Sequence, residues 1–465
     1  MSKETRQGLI LEGPLARGVF LVAMPSVAMM LVQTFNGFLD RFFVSKLGPE
    51  ALAAVTICTS WMWLLLAAAM AVSTGTTALV GRFIGAGKVG SSEQAALALR
   101  DAASATRQSI LLSLMISLVV GACLVLVRRP LLIVQGLDAQ ALPLAEPYLL
   151  ILALGQPVQF LVMILGGVFR GLGDTTRPFL VTLGSVAVHA VGNAILIPRI
   201  GIAGGALALI ASQVLALALT VYFLRRSPVA AGLGGPWRLD TTWAWRILKI
   251  GLLAALQQLI RVGSMLVFQG MLARSSAGSA AVAALGVGLL FESIAFMPGF
   301  GYSIAAAAFV SQNLGAGNVK RANAGAWAAT WQAIAVMSVM GVICYVFAAP
   351  FAHIFLQHGS DAAQNARADE TLRLAVAYLK IAAISEPFLA LGMGLVGALQ
   401  GAGETMSPTV LTTVTMIFIR LPLAWLLLKN YGLDGAWWAM SLSTILQGLC
   451  VIVVFRQGRW QKIHV

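Results

Sequence analysis

Apolar residues along this chain are gathered into long runs, and polar residues are concentrated in the connections between them. The runs approach or exceed the roughly 20 residues that an α-helix needs to cross the hydrocarbon core of a bilayer. We therefore predict twelve membrane-spanning helices, near residues 16–43, 51–76, 108–127, 143–169, 178–198, 203–224, 246–272, 280–307, 326–350, 372–399, 408–428 and 433–455.

The chain also contains one pattern twice, with the copies about 230 residues apart. Six predicted spans in each copy is an even number, so both copies begin and end on the same side of the membrane and are parallel repeats. The pattern predicts an all-α polytopic membrane protein made of two parallel six-helix bundles. The matching segments are residues 80–87 and 310–317, residues 170–178 and 400–408, and Gly48 and Gly278.

The repeats define the expected domains. Residues 1–225 form the predicted N-lobe, with spans 1 to 6. Residues 226–245 are polar and rich in glycine and proline, and they form the predicted linker on the cytoplasmic side. Residues 246–465 form the predicted C-lobe, with spans 7 to 12 and a short cytoplasmic tail.

Composition and charge agree with a membrane protein. Hydrophobic residues make up 59% of the chain and charged residues 10%, and the mean hydropathy is +0.88. A soluble domain holds about a quarter charged residues. The net charge of +14 comes from Lys and Arg that favour the termini and the even-numbered connections. This asymmetry predicts cytoplasmic termini in the inner (plasma) membrane. The basic residues form no stripe interleaved with aromatic residues, so we expect no nucleic-acid partner.

The glycine-rich elements resemble cofactor motifs only superficially. Residues 85–90 match the dinucleotide fingerprint GxGxxG, but a predicted membrane helix precedes them and residues 315–320 lack the third glycine. We interpret them as helix ends with glycines at positive φ. In the Gly-x-Gly-[Asp/Glu]-Thr-x-x-Pro elements, the acid and the Thr are predicted to cap the next helix. We expect neither a cofactor nor a resident metal.

The first span carries the clearest candidate for chemistry. Asp40 lies within or at the end of this span, where an acid costs about 2.5–3.5 kcal/mol. Gln33, Asn36 and Asp40 are spaced i, i+3 and i+7 and share one helical face. A carboxyl group held out of water favours its neutral form, which a proton carrier requires. The alternative is a solvated Asp40 at the outer membrane surface, paired with Arg41 or Lys46.

Two other spans of the N-lobe supply polar pairs at helical spacing, which predicts a polar cavity inside the first bundle. These pairs are Gln156 and Gln159 in span 4, and His189 and Asn193 in span 5. His189 is able to take a proton near neutral pH, although an isolated His on an apolar helix is commonly a packed core residue.

The paired glycine elements, the twelve spans and the acid of span 1 make the chain resemble the multidrug and toxic compound extrusion (MATE) family from about Pro14 to Phe455. The resemblance implies a V-shaped pair of bundles and antiport, in which H⁺ or Na⁺ enters while an organic compound leaves. It assigns Asp40 to the position of the coupling acid and Asn193 to a retained Asn of helix 5. Helical spacing adds Asn36 and His189 as further candidates for coupling. It also makes Pro25 a hinge of helix 1, because proline removes a backbone donor.

The C-lobe departs from the sodium-coupled branch of this family. Arg261 occupies the position of its helix 7 Glu, and Leu389 that of its helix 10 Asp, so both implied cation ligands are absent. In the N-lobe, Ile197 replaces a second acid that many proton-coupled relatives carry. The candidates for a substrate cavity are therefore Gln33, Gln156 and Gln159 in the N-lobe, and Gln257, Arg261, Glu292, Glu386 and Arg420 in the C-lobe. Arg261 and Glu292 lie in adjacent helices, and we expect either a structural ion pair or a pair that contacts substrate.

The leading hypothesis is an antiporter that exports small organic compounds or drugs in exchange for protons, with Na⁺ as the less favoured ion. A flippase for lipid-linked precursors, or a dedicated exporter of a metabolite such as a flavin or a siderophore, remains an alternative. An integral-membrane enzyme is not expected, because the predicted spans contain no clustered residues with metal or nucleophile spacing. The expected partners are the substrate and the lipid bilayer, and the expected state is a monomer.

Overall fold

The computed structural model describes residues 8–463 except 90, 136, 138, 139 and 356–361, and these residues form helices and turns with no β-strand. The helices are α1 Leu15–Ser45, α2 Pro49–Ala86, α3 Ser92–Val134, α4 Leu142–Leu154, α5 Gln156–Gly171, α6 Thr176–Ile200, α7 Ile202–Arg225, α8 Thr241–Ala273, α9 Ser279–Gly315, α10 Val319–Val346, α11 Ala348–Phe355, α12 Ala362–Gly401, α13 Met406–Thr413 and α14 Leu421–Arg456. Short 3₁₀-helices cover Ala230–Gly234 and Arg459–Lys462.

The helices account for the twelve predicted spans. Ten stretches within the described residues are long and apolar enough to cross a membrane, and α4 with α5 forms another span that bends by 48°. The last stretch, Met406–Arg456, has 51 residues. It breaks at Gly432, where φ is 65° and ψ is −150°. Since this stretch supplies two spans, the predicted all-α fold of two six-helix bundles is confirmed.

In the second pair of glycine elements the acids form the predicted caps, whereas the prediction is wrong for the threonines, because the side chains of Thr175 and Thr405 make no cap hydrogen bond. Gly173 and Gly403 have φ values of 72° and 85°, so each ends a helix in a conformation that other residues rarely adopt. Asp174 Oδ1 then accepts hydrogen bonds from the backbone N–H groups of Thr176 and Arg177, at 3.2 Å each. Glu404 Oε1 accepts from the N–H of Ser407 at 2.8 Å. In the first pair of elements the expectation of positive φ holds for Gly317 (φ 71°) and is wrong for Gly85, Gly315 and Gly87 (φ −69°).

The C-lobe has one residue more than the N-lobe in its fifth helix. Gly173 and Gly403 are 230 positions apart, whereas the next glycines with positive φ, Gly201 and Gly432, are 231 apart. Between them, the C-lobe contains a π-helix at Val414–Arg420. A π-helix accommodates an additional residue by widening its turns. Helices beyond this point therefore match between the lobes with an offset of 231.

Within the described residues, the two lobes pack against each other at one end only. We call this end the terminal face; it carries Leu15, Ala86, Gly315 and Arg456. Two hydrophobic clusters in this half combine residues of both lobes, such as Val19 of α1 with helix α9. The two clusters in the other half each lie within one lobe. The bundles are therefore joined at the terminal face and separate toward the opposite face.

Glycine permits a close contact between the lobes. A Cβ atom on Gly85 of α2 would lie 1.9 Å from the carbonyl oxygen of Gln312 in α9. A Cβ atom on Gly315 would lie 2.0 Å from the carbonyl oxygen of Arg82. These positions correspond in the two repeats, so α2 and α9 cross on the pseudo-symmetry axis. Sequence analysis assigned these glycines to helix ends and missed this contact.

Hydrogen bonds also link the lobes at the terminal face. Gln312 Nε2 donates to the carbonyl oxygen of Gly171 at 2.8 Å. Arg82 Nη2 donates to the carbonyl oxygens of Ala402 and Ile463 at 3.1 and 3.0 Å. Arg321 Nε donates to the carbonyl oxygen of Ile10 at 2.9 Å, which anchors the segment before α1.

The linker between the lobes is shorter than expected, because α8 begins at Thr241. Asp240 caps this helix by accepting from the N–H groups of Thr242 and Trp243 at 2.8 and 3.4 Å. Residues 241–245 are therefore helical, although the predicted linker included them.

Candidate proton and substrate sites

Helices α1 and α6 bring the N-lobe candidates together. Asn193 Nδ2 donates a hydrogen bond to Asp40 Oδ1 at 2.6 Å. His189 Nε2 lies 3.5 Å from the same oxygen, and His189 Nδ1 lies 3.1 Å from Asn36 Oδ1. The spacing of i, i+4 on both helices aligns these two pairs, so each residue of α1 faces one residue of α6. Four predicted residues thus form one cluster.

The hydrogen-bond pattern leaves one position for a proton that can be gained or lost. Asn36 Oδ1 is an acceptor, so His189 Nδ1 carries a hydrogen toward it. His189 Nε2 and Asp40 Oδ1 then face each other and can share a second proton. With that proton the pair is neutral overall, either as acid and imidazole or as carboxylate and imidazolium. Without it, the pair carries one negative charge.

The alternative in which Asp40 pairs with its neighbours on α1 is not supported. Among the described residues, neither Arg41 nor Lys46 forms an ion pair with Asp40, and the Lys46 ammonium lies 4.3 Å from the ring centre of Phe42. The Asp40 side chain is 35% exposed and that of His189 3% exposed. The carboxyl group therefore joins a buried histidine to the space near the opposite face.

A cavity of about 180 Å³ lies next to this cluster inside the N-lobe. Gln33, Asn36 and His189 line it. Gln156 and Gln159 do not, although the sequence analysis grouped them with these residues. Instead, Gln156 Nε2 lies 3.3 Å from Met62 Sδ and 3.5 Å from Gln159 Oε1. Their helix turns them toward α2, so the N-lobe has two separate polar regions.

Pro25 lies inside α1, in the half nearer the terminal face. Its ring nitrogen cannot donate to the carbonyl oxygen of Leu21, so the helix is weakened at this turn. The following carbonyl oxygen, that of Val22, accepts a hydrogen bond from Thr175 Oγ1 at 2.7 Å. A contact from the start of α6 therefore supports the turn that Pro25 weakens.

In the C-lobe, Glu292 and Arg261 do not form the expected ion pair among the described residues. Glu292 instead accepts a hydrogen bond from the hydroxyl group of Tyr378 in α12. The cation whose charge acts on Glu292 is Arg420, at the end of the π-helix. Adjacent helices were therefore not sufficient for pairing, and Tyr378, which comes from a third helix, makes the direct contact with Glu292.

Arg420 is buried and held by the last span. Its Nε donates to Ser443 Oγ at 2.7 Å, and its Nη2 donates to Thr444 Oγ1 at 2.9 Å. Arg261 is half-buried and lies near enough to Arg420 for the two guanidinium groups to repel each other. The C-lobe interior therefore contains two arginines whose charges are only partly balanced by direct contacts.

Gln257 belongs to a separate network toward the terminal face. Its Nε2 donates to Thr412 Oγ1 at 2.9 Å, and its Oε1 accepts from Gln400 Nε2 at 3.1 Å. Gln447 Nε2 also donates to Thr412 Oγ1, at 3.2 Å. This chain of neutral groups joins α8, α12, α13 and α14, and it is one turn away from Arg261.

Glu386 is the least expected feature of the C-lobe. Its side chain is 2% exposed, and its Oε2 has no hydrogen-bond partner among the described residues. Glu292 acts on it as a second negative group. In the other repeat, Gln156 stands at the position of Glu386 and Met62 at that of Glu292. The C-lobe thus has two carboxyl groups where the N-lobe has an amide and a thioether.

Replacing Glu386 by glutamine tests whether its carboxyl group stabilises the fold. We expect Glu386→Gln to raise the melting temperature of the purified protein by about 1–3 °C, because a neutral amide relieves an unpaired buried acid. Gln156→Glu, the matched change in the other lobe, should lower it. Scanning calorimetry or thermal fluorescence measures both. A lower melting temperature in Glu386→Gln would mean that the acid stabilises the fold.

Several residues of these sites were not predicted. Tyr378, Ser443 and Thr444 contact the C-lobe charges, and Ser185 and Gln213 line the N-lobe cavity. One signal was available for Tyr378, because Tyr148 occupies the same position in the first repeat. A tyrosine retained in both copies at the bundle centre indicates a shared structural position.

Comparison with known proteins identifies the chain. A family model described as MatE matches residues 25–195 and 254–426, which is one segment in each lobe. The chain belongs to the MatE family. MatE proteins are transporters, so this chain is a membrane transporter and not an enzyme.

Two relatives are similar to nearly the whole chain. The chain is 25% identical to a probable multidrug resistance protein NorM of Thermotoga maritima, over 95% of the chain and 92% of that protein. It is 27% identical to an FAD transporter of Shewanella oneidensis, over 96% of the chain and 95% of that protein.

The fold agrees with a solved structure. A crystal structure of a MATE protein in complex with MaL6 superimposes with a TM-score of 0.87, at 21% identity, over 98% of this chain and 99% of that one. The arrangement of two six-helix bundles is therefore the MATE fold.

Proposed function

We propose that this MatE protein exports small organic compounds from the cytoplasm in exchange for protons. The observation that carries the proposal is the contact of Asp40 with His189 and Asn193 in the N-lobe. This cluster can hold one exchangeable proton, and the exposed side of Asp40 connects it to the space near the opposite face.

The proposed orientation follows from charge. Lys and Arg are concentrated at the terminal face, as at Arg225 and Arg226 after α7 and at Lys320 and Arg321 before α10. We infer that this face is cytoplasmic and that the protein lies in the inner membrane. The described conformation, joined at the terminal face, is then closed to the cytoplasm.

Coupling requires a difference in proton affinity between two conformations. In the outward state, the carboxyl of Asp40 is available from outside and takes up a proton. Rearrangement of α1 at Pro25 would move Asp40 relative to Asn193 and His189 and change the stability of its charged form. Release of the proton toward the cytoplasm then accompanies reopening of the terminal face to substrate.

Protons fit the cluster better than Na⁺. The neighbours of Asp40 are an amide that donates to it and an imidazole ring, whereas hard cations select several oxygen ligands. Asn193 uses its nitrogen toward Asp40, and its oxygen points elsewhere. A histidine beside the acid instead offers a second group that titrates in the physiological range.

The proposed substrate is an organic anion or zwitterion. Arg261 and Arg420 place two positive groups inside the C-lobe, and the FAD transporter named above handles an anionic compound. Glu292 beside Arg420 reduces the net charge, which makes a pyrophosphate-linked lipid a poorer fit and disfavours the flippase alternative. A flavin or a similar metabolite matches this mixture of charges.

Transport in proteoliposomes tests the function. Full-length protein is reconstituted, and a proton gradient or a sodium gradient is imposed separately while uptake of fluorescent anions, zwitterions and cations is measured. We expect counter-transport of anionic or zwitterionic compounds with the proton gradient alone. Transport that follows only the sodium gradient would refute proton coupling.

His189 should set the pH dependence of transport. In His189→Gln, Asp40 loses the imidazole with which it shares the exchangeable proton, and an amide cannot take that proton. We expect the pH of half-maximal transport to fall by up to about one unit, because the shared proton has one binding position fewer. His353→Gln, a change at an exposed histidine, serves as the control. An unchanged pH profile in His189→Gln would mean that the ring only packs against Asn36.

A further inference from the structure

A second cavity, of about 480 Å³, opens on the outer side of the C-lobe among α10, α12 and α14. It is an open, largely apolar groove, separate from the clusters of both lobes. Its walls are Trp327, Trp331 and Ile334 of α10, Pro387, Phe388 and Leu391 of α12, and Ile452 and Arg456 of α14.

The groove lies in one half of the membrane. From Trp327 to Ile334 the helix rises about 10 Å, within the roughly 15 Å of hydrocarbon in one leaflet. Its lower end is at the terminal face, because Arg456 is the last residue of α14. The ring of Trp327 packs edge-on against Phe455, with centroids 6.0 Å apart, so tryptophan and arginine share this level. Hydrocarbon must fill such a groove in a bilayer.

Arg456 places a positive charge at the end of the groove nearest the terminal face. Its side chain is exposed and has no hydrogen-bond or ion-pair partner in the described part of the chain. A guanidinium group binds phosphate oxygens through two parallel hydrogen bonds, and basic pockets between spans at the cytoplasmic side suit anionic lipid headgroups. An apolar groove that ends at an unpaired arginine complements a lipid with an acyl chain and a negative headgroup.

The N-lobe lacks the same groove surface, although the repeat supplies a matching arginine. Arg225 ends α7 as Arg456 ends α14, and both are exposed. Gly121 of α3 and Gly341 of α10 lie against turns that correspond in the two repeats, so these two glycines occupy equivalent positions. With α3 and α10 aligned on them, Arg107 takes the position of Trp327. Arg107 donates to the carbonyl oxygen of Gly232, so the linker occupies this region of the N-lobe. Only the C-lobe combines the tryptophans with the terminal arginine.

We propose that this groove is a binding site for one anionic glycerophospholipid of the cytoplasmic leaflet. Its acyl chain lies between α10 and α12 against Phe388 and Leu391, and its phosphate contacts Arg456. The proposal depends on the cytoplasmic orientation of the terminal face and on no feature of the transport cycle. It can therefore fail while the proposed exchange of substrate and protons stands.

Native mass spectrometry of the delipidated full-length protein tests the site. The protein is titrated with phosphatidylglycerol and, separately, with phosphatidylcholine. We expect the parent protein to bind one phosphatidylglycerol more tightly than phosphatidylcholine. Arg456→Gln should weaken that binding by about fivefold, while Arg456→Lys should retain most of it. Arg225→Gln removes the same charge from the matched position and should leave the tightest binding unchanged.

Three results would overturn the proposal. One is equal affinity for both lipids in the parent protein. Another is an equal loss of binding in Arg456→Gln and Arg225→Gln, which would indicate charge attraction without a defined site. The third is preferential binding of an amphipathic organic cation that strengthens in Arg456→Gln, which would assign the groove to substrate entry.

Discussion

Asp40→Asn should reduce proton-driven transport to about a tenth or less of the parental rate, because it removes the carboxyl group whose negative charge the exchanged proton neutralises. The amide has nearly the same shape as the acid and can still contact Asn193. It cannot alternate between a neutral and a charged form. A proton that binds both conformations equally cannot shift the balance between them, so an imposed pH gradient loses its effect. Substrate uptake into proteoliposomes with a proton gradient measures the change.

The control for this prediction is Asp434→Asn, which makes the same chemical change at an exposed position. It should transport at the parental rate. Substrate binding in Asp40→Asn should persist when it is measured without a gradient, because the change affects coupling. Parental transport by Asp40→Asn under a pH gradient would remove Asp40 from the coupling mechanism.

The arrangement around Asp40 was largely readable from the sequence. Intervals of three and four residues put Asn36 and Asp40 on one face of α1, and His189 and Asn193 on one face of α6. A polar face inside an apolar helix has few favourable environments other than another polar face. Two polar helix faces in one bundle are therefore expected to contact each other. The specific pairing required coordinates, since it depends on the rotation of both helices.

The C-lobe was harder to predict for a physical reason. The π-helix adds a residue before Arg420 and changes the direction of that side chain relative to a regular helix. Arg420 thereby approaches Glu292, and Arg261 does not pair with it. Tyr378 comes from a helix about 90 residues farther along the chain. Residue spacing along one helix carries no information about such a third partner.

The contact between the lobes could not be predicted from the sequence. Gly85 and Gly315 form a repeated pair in the sequence, and a turn at the end of a helix is a sufficient explanation for both. Their actual neighbours are carbonyl oxygens of the other lobe. Glycines at a helix crossing and glycines at a helix end look alike in a sequence, because both positions exclude a side chain.

A methyl group at either glycine should open the terminal face. In Gly315→Ala the added Cβ atom would lie 2.0 Å from the carbonyl oxygen of Arg82, and in Gly85→Ala 1.9 Å from that of Gln312. Both distances are far below van der Waals contact, and both neighbours are backbone atoms that cannot rotate away. The helices must separate, which weakens the closed state relative to states in which the lobes are apart.

The effect can be measured at Ser311, which is fully buried beside this crossing. In a protein without its native cysteines, Ser311→Cys should react slowly with a polar thiol reagent. Adding Gly315→Ala or Gly85→Ala should increase the rate at least about fivefold, since overpacking a tight contact costs about 1–3 kcal/mol. Transport should fall in both variants, because the cycle passes through the closed state.

Gly286→Ala provides the matched control, as a Cβ atom there meets no other atom within 4 Å and the residue lies in the same helix, α9. Alanine also has a higher helix propensity than glycine. In Gly286→Ala the introduced thiol should therefore stay protected and transport should stay at the parental rate. If Gly315→Ala behaves like Gly286→Ala, the lobes do not need this crossing to close. Equal effects of Gly85→Ala and Gly315→Ala, with none in the control, are expected because the repeat makes the two contacts equivalent.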